Sequence, residues 1–167
     1  MGKLLFRIAR FKIVGAFVGF AFAHFPFLVP IRKILCSKKA ISFAHPVAVY
    51  PEHVLIIPRK IARTVFHLSS DDFEAILEMA VKIRYGDNRD FVVMINGGRR
   101  QDVMQAHFHL FTENLATEKG LAKKIDSAFS ISDLRSILKQ HQVPEESFSL
   151  VVQFEKGAEP VMYLMQS

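Results

Sequence analysis

The stretch from Gln105 to Phe111 alternates polar and apolar side chains, and this alternation constrains the fold more than any other feature. Gln105, His107 and His109 lie two positions apart, with apolar residues at positions 106, 108 and 110. Successive side chains of a β-strand point to opposite faces, so a strand here places the glutamine and both histidines on one face. The apolar side chains then pack on the other face. We therefore predict a strand with one buried face and one face suited to chemistry.

Charge divides the chain into two unequal parts. Residues 1–39 contain eight lysines and arginines and no acid, which leaves 14 cations and 16 acids in residues 40–167. The net charge of +6 therefore reflects the N-terminal segment. Since residues 40–167 show no basic stripe with interspersed aromatic rings, we do not expect a nucleic-acid partner. The single cysteine, Cys36, can form neither an internal disulfide nor a cysteine-based zinc site.

The N-terminal segment, residues 1–39, contains an uncharged run at residues 13–31 that is flanked by Lys12 and Arg32. This run is close to the ~20 residues that cross a bilayer as a helix. Three interpretations are open: a spanning N-terminal hydrophobic helix, a signal peptide cleaved after Ala23, or an interfacial helix or hairpin broken at Pro26. We favour an anchor and expect the protein to lie at a membrane. The flanking cations are balanced, so the side of the membrane is not predicted.

Residues 40–167 are predicted to form one α+β domain with an antiparallel sheet. Hydrophobic patterning predicts strands at residues 40–45, 53–58, 91–95 and 104–111. One long helix is predicted at residues 71–85, capped by Ser70, Asp71 and Asp72 and ended by Gly86. A turn of Gly97 and Gly98 with two arginines should join the last two of these strands. The C-terminal extension, residues 113–167, should add a helix at 132–141 and a β-hairpin with strands at 148–154 and 161–165.

A strand with alternate histidines has the groups that phosphorus chemistry at an imidazole requires. One neutral imidazole must present a nitrogen to the phosphorus, while an acceptor holds its other ring nitrogen and fixes the tautomer. Further donors must hold the non-bridging oxygens as charge develops. We therefore regard His107 and His109 as candidate catalytic residues. His45, His67 and His141 are predicted to be surface or packing residues.

With these residues in place, the sequence resembles the histidine triad (HIT) family of nucleotide hydrolases and transferases. The family signature His-x-His-x-His stands here as Gln105-Ala106-His107-Phe108-His109, and three further stretches are similar to family segments. They are Pro51-x-His53-x-Leu-Ile-Ile-Pro58, Val92-Val-Met-Ile-Asn96-Gly-Gly98 and Gln101-Asp102-Val103. The resemblance covers residues 40–112 and implies a HIT-like sheet with one long packing helix. Family members often pair, so a homodimer is implied by analogy alone.

The resemblance implies a role for each matching residue. His107 would be the nucleophile of a nucleotidyl-histidine intermediate, and His109 would hold phosphate oxygens. His53 would lie behind the triad and orient it through position 105. Asn96, Gln101, Asp102 and Val103 would line the phosphate. The base and ribose would contact apolar residues of the first strands, such as Phe43 and Ile56. No cofactor and no metal are implied.

Two departures from the family pattern leave alternatives open. The first histidine of the triad is Gln105, and a serine expected beside the phosphate is Asp102, whose charge would repel the substrate. A second register is also open, in which His107-x-His109-x-Phe111 is the triad and His109 is the nucleophile. The Gln101 and Val103 matches favour the first register.

Three functional hypotheses follow. The first is a nucleotidyl hydrolase or transferase that cleaves a phosphoanhydride or phosphoramidate of a nucleotide conjugate. The N-terminal apolar run, Ile95-Asn96, the turn with two arginines and the stretch Gln105-x-His107-Phe-His109 also resemble those of CDP-diacylglycerol pyrophosphatases, which implies a lipid-linked nucleotide as substrate. The second hypothesis is a non-catalytic, membrane-tethered nucleotide-binding module. The third is a metal-dependent hydrolase with His107, His109 and Asp102 as ligands.

Overall fold

The computed structural model describes the main domain and a few isolated residues. The described ranges are 32–45, 52–84, 90–98, 105–112, 134–158 and 160–165, the backbone of 122–125, and the single residues Ala21, Phe25, Ala48 and Gln101. Eight strands lie in these ranges: β1 (Lys33–Cys36), β2 (Ala40–Ala44), β3 (Val54–Pro58), β4 (Phe91–Gly98), β5 (Phe108–Phe111), β6 (Ala122–Ile125), β7 (Ser147–Phe154) and β8 (Val161–Met165). Two α-helices, α1 (Ser70–Arg84) and α2 (Leu134–Gln140), and a 3-10 turn (Val65–His67) accompany them.

The strands form one antiparallel sheet in the order β1-β2-β3-β5-β4-β7-β8-β6. The predicted α+β class, long helix, C-terminal helix and final hairpin are therefore confirmed. The sequence analysis missed β1 and β6, which are the two outer strands of the sheet. An outer strand pairs on one side only and tolerates charged side chains, so its hydrophobic alternation is weak.

The strand β1 changes the predicted domain boundary. Lys33, Leu35 and Cys36 pair with residues of β2, so the sheet begins inside the segment that was assigned to residues 1–39. A boundary at residue 40 is therefore too late. Most of the apolar run at 13–31 lies outside the described residues, so the N-terminal helix and the membrane anchor stay predictions. Among the described residues, no helix has the length and apolar character needed to cross a membrane.

The helix α1 packs on one face of the sheet and forms the main core with it. Phe73, Ile76, Met79 and Ala80 of α1 are buried in the same cluster as side chains from the central strands. Every second residue of β5 joins this cluster, namely Phe108 and Leu110. His109 lies on the opposite face because strand side chains alternate.

Local signals explain where α1 begins. The backbone N–H of Ser69 donates to the carboxylate of Asp72 at 3.1 Å, and the N–H of Asp72 donates to Oγ of Ser69 at 3.3 Å. This reciprocal capping box satisfies two backbone donors that a helix start leaves without partners. The cap is therefore Ser69, one residue before the predicted cap at Ser70.

The glycines after Asn96 have a different role from the predicted turn. Gly97 and Gly98 continue β4 and pair with Phe148 and Ser147 of β7. A Cβ atom at Gly97 would overlap the Phe148 ring, and Gly98 has a φ of +61°. These glycines therefore let β7 approach β4 closely. The sequence alone does not reveal this role, because it does not show which residues of β7 lie opposite the glycines.

Candidate active site

The candidate site lies on the face of the sheet opposite α1, where β3, β5 and β4 are neighbours. Met94 of β4 pairs with His109 of β5, and Leu55 of β3 pairs with the same histidine from the other side. Ile95 pairs with Phe108, so the next residues, Asn96 and His107, also lie opposite each other. The sheet therefore brings together the polar positions of three strands that are far apart in sequence.

His107 is held by a main-chain carbonyl. Its Nδ1 atom lies 2.8 Å from the carbonyl oxygen of Gln105. A carbonyl oxygen can only accept, so Nδ1 must carry the proton, and in a neutral imidazole the lone pair then resides on Nε2. This is the tautomer that a nucleophilic histidine requires.

The side chain of Gln105 is buried and binds the backbone of the segment that follows β3. Its Oε1 accepts from the N–H of Ala62 at 3.3 Å, and its Nε2 donates to the carbonyls of Lys60 and Pro58 at 3.0 and 3.4 Å. The N–H of Ala106 also donates to Ala62. The predicted link from His53 to the triad through position 105 is therefore wrong, because the Gln105 amide is used for this clamp.

His53 instead contacts the last histidine of the row. Its Nε2 atom lies 3.0 Å from Nδ1 of His109, and the two rings are tilted by 46°. The His53 and Phe111 rings are also nearly perpendicular, with 5.5 Å between ring centroids. This arrangement follows from the β3–β5 register, which places Val54 opposite Leu110 and hence His53 diagonal to His109.

Burial keeps both histidines of this pair uncharged. Burial and then the charge of His45 lower the pKa of His53 from 6.5 to about 4. Burial lowers the pKa of His109 well below 6.5, and His107, His53 and His45 add to the effect. Desolvation disfavours the charged form of an imidazole, so the pair is neutral at neutral pH.

His45 is a site residue that the sequence analysis missed. Its ring stacks on His53 with 4.1 Å between centroids and an interplanar angle of 11°. The backbone N–H of His45 donates to the backbone carbonyl of His53. The register of the β2–β3 hairpin places Ala44 opposite Val54, so His45 comes opposite His53. Pairing the two predicted strands, residues 40–45 and 53–58, end to end as a hairpin would have placed His45 opposite His53.

Asn96 is oriented by a residue from a distant strand. Oγ of Ser149 donates to Oδ1 of Asn96 at 2.6 Å, which leaves the amide nitrogen of Asn96 as the donor end of the side chain. Ser149 pairs with Asn96 across β4 and β7. No local pattern in the sequence marks Ser149, because it is 53 residues away from its partner.

The remaining predicted residues are placed as follows. Gln101 donates from its amide to the carbonyl of Arg63 and so secures the same segment as Gln105. Asp102 and Val103 lie outside the described residues. The predicted His107–His109–Asp102 metal site therefore stays a prediction. Ile56 was predicted to contact the nucleotide, but it is fully buried in the core against α1. The β3 side chains on the site face are Leu55 and Ile57.

The histidine row and its neighbours therefore combine three chemical functions. His107 offers a lone pair on Nε2, the neutral His53–His109 pair can donate a hydrogen bond to a phosphate oxygen, and the Asn96 amide can donate to an anionic oxygen. The backbone carbonyl of Gln105 accepts the Nδ1 proton of His107. This hydrogen bond strengthens as the His107 ring gains positive charge. Such a set fits attack on phosphorus.

Comparison with known proteins agrees with this geometry. The sequence profile of the HIT domain matches residues 29–115, which is more than half of the chain and includes every residue of the site except Ser149. A search of the curated proteins found no match.

Solved structures share the fold at low sequence identity. A histidine triad nucleotide-binding protein from Candida albicans is 21% identical with a TM-score of 0.51, and the alignment covers 75% of this chain and 94% of that chain. A hypothetical protein from Leishmania major is 20% identical with a TM-score of 0.52, over 75% of this chain and 92% of that chain.

Proposed function

Because this chain belongs to the HIT domain family, we propose that it is an enzyme that cleaves a phosphoanhydride or phosphoramidate bond of a nucleotide conjugate through a nucleotidyl-His107 intermediate. The observation that carries this proposal is the 2.8 Å contact between Nδ1 of His107 and the carbonyl oxygen of Gln105. It leaves the lone pair of His107 on Nε2, the nitrogen that would attack the phosphorus. A nucleotide ligand is supported by the likeness in fold to the Candida albicans protein, which is a histidine triad nucleotide-binding protein.

The first step of the proposed reaction transfers the nucleotidyl group to His107. Nε2 attacks the phosphorus, and the bond from phosphorus to the leaving oxygen or nitrogen breaks. The ring becomes cationic, so its Nδ1–H bond to the Gln105 carbonyl strengthens and stabilises the transition state. This function uses the main chain at position 105, so a glutamine in place of the family's histidine is compatible with catalysis.

His109 stabilises the leaving group through a hydrogen bond. If His53 donates from Nε2 to Nδ1 of His109, the proton of neutral His109 resides on its own Nε2. That N–H can bind a phosphate oxygen as the bond to the leaving group breaks. A phosphate leaving group departs as the anion, and an amine leaving group takes its proton from solvent. In the second step, water attacks the phosphorus, loses a proton to solvent and releases neutral His107. An acceptor other than water would make the reaction a transfer.

A lipid-linked nucleotide such as CDP-diacylglycerol is the finer proposal for the substrate. The apolar run at 13–31 ends at Arg32, whose carbonyl accepts a hydrogen bond from the N–H of Ala44 at 2.9 Å. Ala44 is adjacent to His45 of the site. An anchor at 13–31 would therefore hold the site next to the membrane surface and raise the local concentration of a lipid substrate.

Intact-protein mass spectrometry tests the proposal. The full chain is incubated at low temperature with an adenylyl phosphoramidate, a dinucleoside polyphosphate or CDP-diacylglycerol, and then quenched. We expect one added nucleotidyl group in the wild type and in the control His141→Ala, and none in His107→Ala. An adduct that persists in His107→Ala and disappears in His109→Ala would establish the alternative register. Neither adduct nor product with any conjugate would favour the non-catalytic binding module.

A further inference from the structure

Three histidines converge at one end of the site, and only two of them take part in the proposed reaction. One ring nitrogen from each of His45, His53 and His109 lies within 4.8 Å of the others. His53 is buried, and His45 and His109 are partly buried. The proposed phosphorus chemistry therefore assigns no role to His45.

The three rings form a compact group of potential ligands. Nε2 of His53 is 3.0 Å from Nδ1 of His109, and the His45 ring is 4.1 Å from His53 and 5.8 Å from His109 between centroids. A tetrahedral zinc ion has Zn–N bonds of about 2.0–2.1 Å, which separates two nitrogen ligands by roughly 3.4 Å. The facing nitrogens of His53 and His109 are 3.0 Å apart and one nitrogen of each ring lies within 4.8 Å of the others, which is close to this value. The His45 ring is stacked on His53 at 11°, so it would rotate out of the stack to direct a nitrogen to the same ion.

The protonation state of the group suits metal binding. Burial lowers the pKa of His53 to about 4 and lowers that of His109 as well. Neutral imidazole is the form that binds a metal, so the two rings carry no net charge at neutral pH, but the proton between their facing nitrogens would have to move to the other nitrogen of its ring.

We propose that His45, His53 and His109 form a three-histidine site for a divalent transition-metal ion of the zinc class. Three imidazoles select borderline metals such as Zn²⁺ over Mg²⁺ and Ca²⁺, which prefer oxygen ligands. Three protein ligands leave a fourth position for water or an anionic oxygen. This site differs from the His107–His109–Asp102 set of the sequence analysis, and the proposal does not rest on the proposed catalytic function.

Metal binding and the His53–His109 hydrogen bond exclude each other. The ion would take the lone pairs on the two nitrogens that now share a proton at 3.0 Å. The metal-loaded and metal-free proteins would therefore differ at His109, and the ion would remove the hydrogen bond from His53 that orients His109 in the proposed reaction.

The test is a zinc titration of the full chain, freed of metal by a chelator, in competition with a chromophoric zinc indicator. Cys36→Ser serves as the background, because the exposed thiol of Cys36 could bind zinc by itself. We expect one zinc equivalent in this background and in His141→Ala. His45→Ala should weaken the affinity about tenfold or more, since even the loss of an outer-shell partner has an effect of that size.

A second variant separates the loss of a ligand from a loss of packing. His45→Phe keeps an aromatic ring that can stack on His53 but removes both ring nitrogens, so it should lose zinc affinity as His45→Ala does. Cobalt supplies an independent readout, because a tetrahedral Co²⁺ site absorbs in the visible range. Unchanged zinc affinity in His45→Phe, or no stoichiometric binding in the background protein, would overturn the proposal.

Discussion

Nε2 of His53 lies 3.0 Å from Nδ1 of His109, and this contact joins the residue before β3 to the neighbouring strand β5. His53 is 7% exposed, and both side chains have a lowered pKa. The pair is therefore held neutral inside the protein. The contact fixes the donor that His109 presents in the proposed reaction, and the proposed metal ion would replace it.

The lowered pKa of His53 predicts a stability that depends on pH. The folded pKa is about 4 and the ordinary value is 6.5, so between these values the unfolded chain binds more protons. In metal-free buffer, the free energy of unfolding should therefore fall as the pH falls from 6.5 towards 4. Urea titrations measure it. His53→Gln should reduce the slope in this window more than the control His141→Gln does, and equal slopes would contradict the prediction.

The clamp by Gln105 predicts a loss of stability without a loss of the nucleophile. Gln105→Ala leaves buried backbone groups of residues 58–62 without partners, at a cost of about 1–3 kcal/mol. The exposed substitution Gln140→Ala should change the free energy of unfolding little. If main-chain orientation of His107 suffices, Gln105→Ala should still form the nucleotidyl adduct at a temperature where it is folded. If the folded Gln105→Ala variant formed no adduct, the Gln105 side chain itself would be required for catalysis.

The contact between Ser149 and Asn96 predicts an effect on substrate binding. Ser149→Ala removes the donor that fixes the Asn96 amide, and a typical hydrogen bond contributes about 1 kcal/mol, or roughly fivefold. We expect KM to rise by about this factor or kcat to fall by it. Steady-state kinetics with the conjugate that labels His107 measure both constants. The exposed control Ser136→Ala should leave them unchanged, and wild-type kinetics in Ser149→Ala would refute the role.

The close approach of β4 and β7 predicts a steric penalty at Gly97. Gly97→Ala places a methyl group in the space of the Phe148 ring, and overpacking of this kind costs about 1–3 kcal/mol. Thermal or urea unfolding measures the loss. Trimming the ring in Phe148→Leu should make the same alanine substitution less harmful. Strict additivity of the two substitutions would show that the ring is not the cause.

Local periodicity accounts for the parts of the fold that were predicted correctly. The helix α1 has apolar residues at a period of 3.6 and a cap at its start, and β7 and β8 are consecutive strands joined by a short turn. These signals reside within a few neighbouring residues. The outer strands β1 and β6 were missed because a strand that pairs on one side can be short and charged, as the Ala122–Ile125 segment with two lysines is.

The sequence by itself determined the antiparallel α+β architecture and the face of the strand that carries His107 and His109, because alternation is a local property of the chain. Only the tertiary structure decided which side chains surround them. The strand registers bring His45 and His53 to His109 and Ser149 to Asn96. They also place the Gln105 side chain where it forms hydrogen bonds with the backbone of residues 58–62. Registers depend on the packing of whole strands against α1, and no single stretch of sequence encodes that packing.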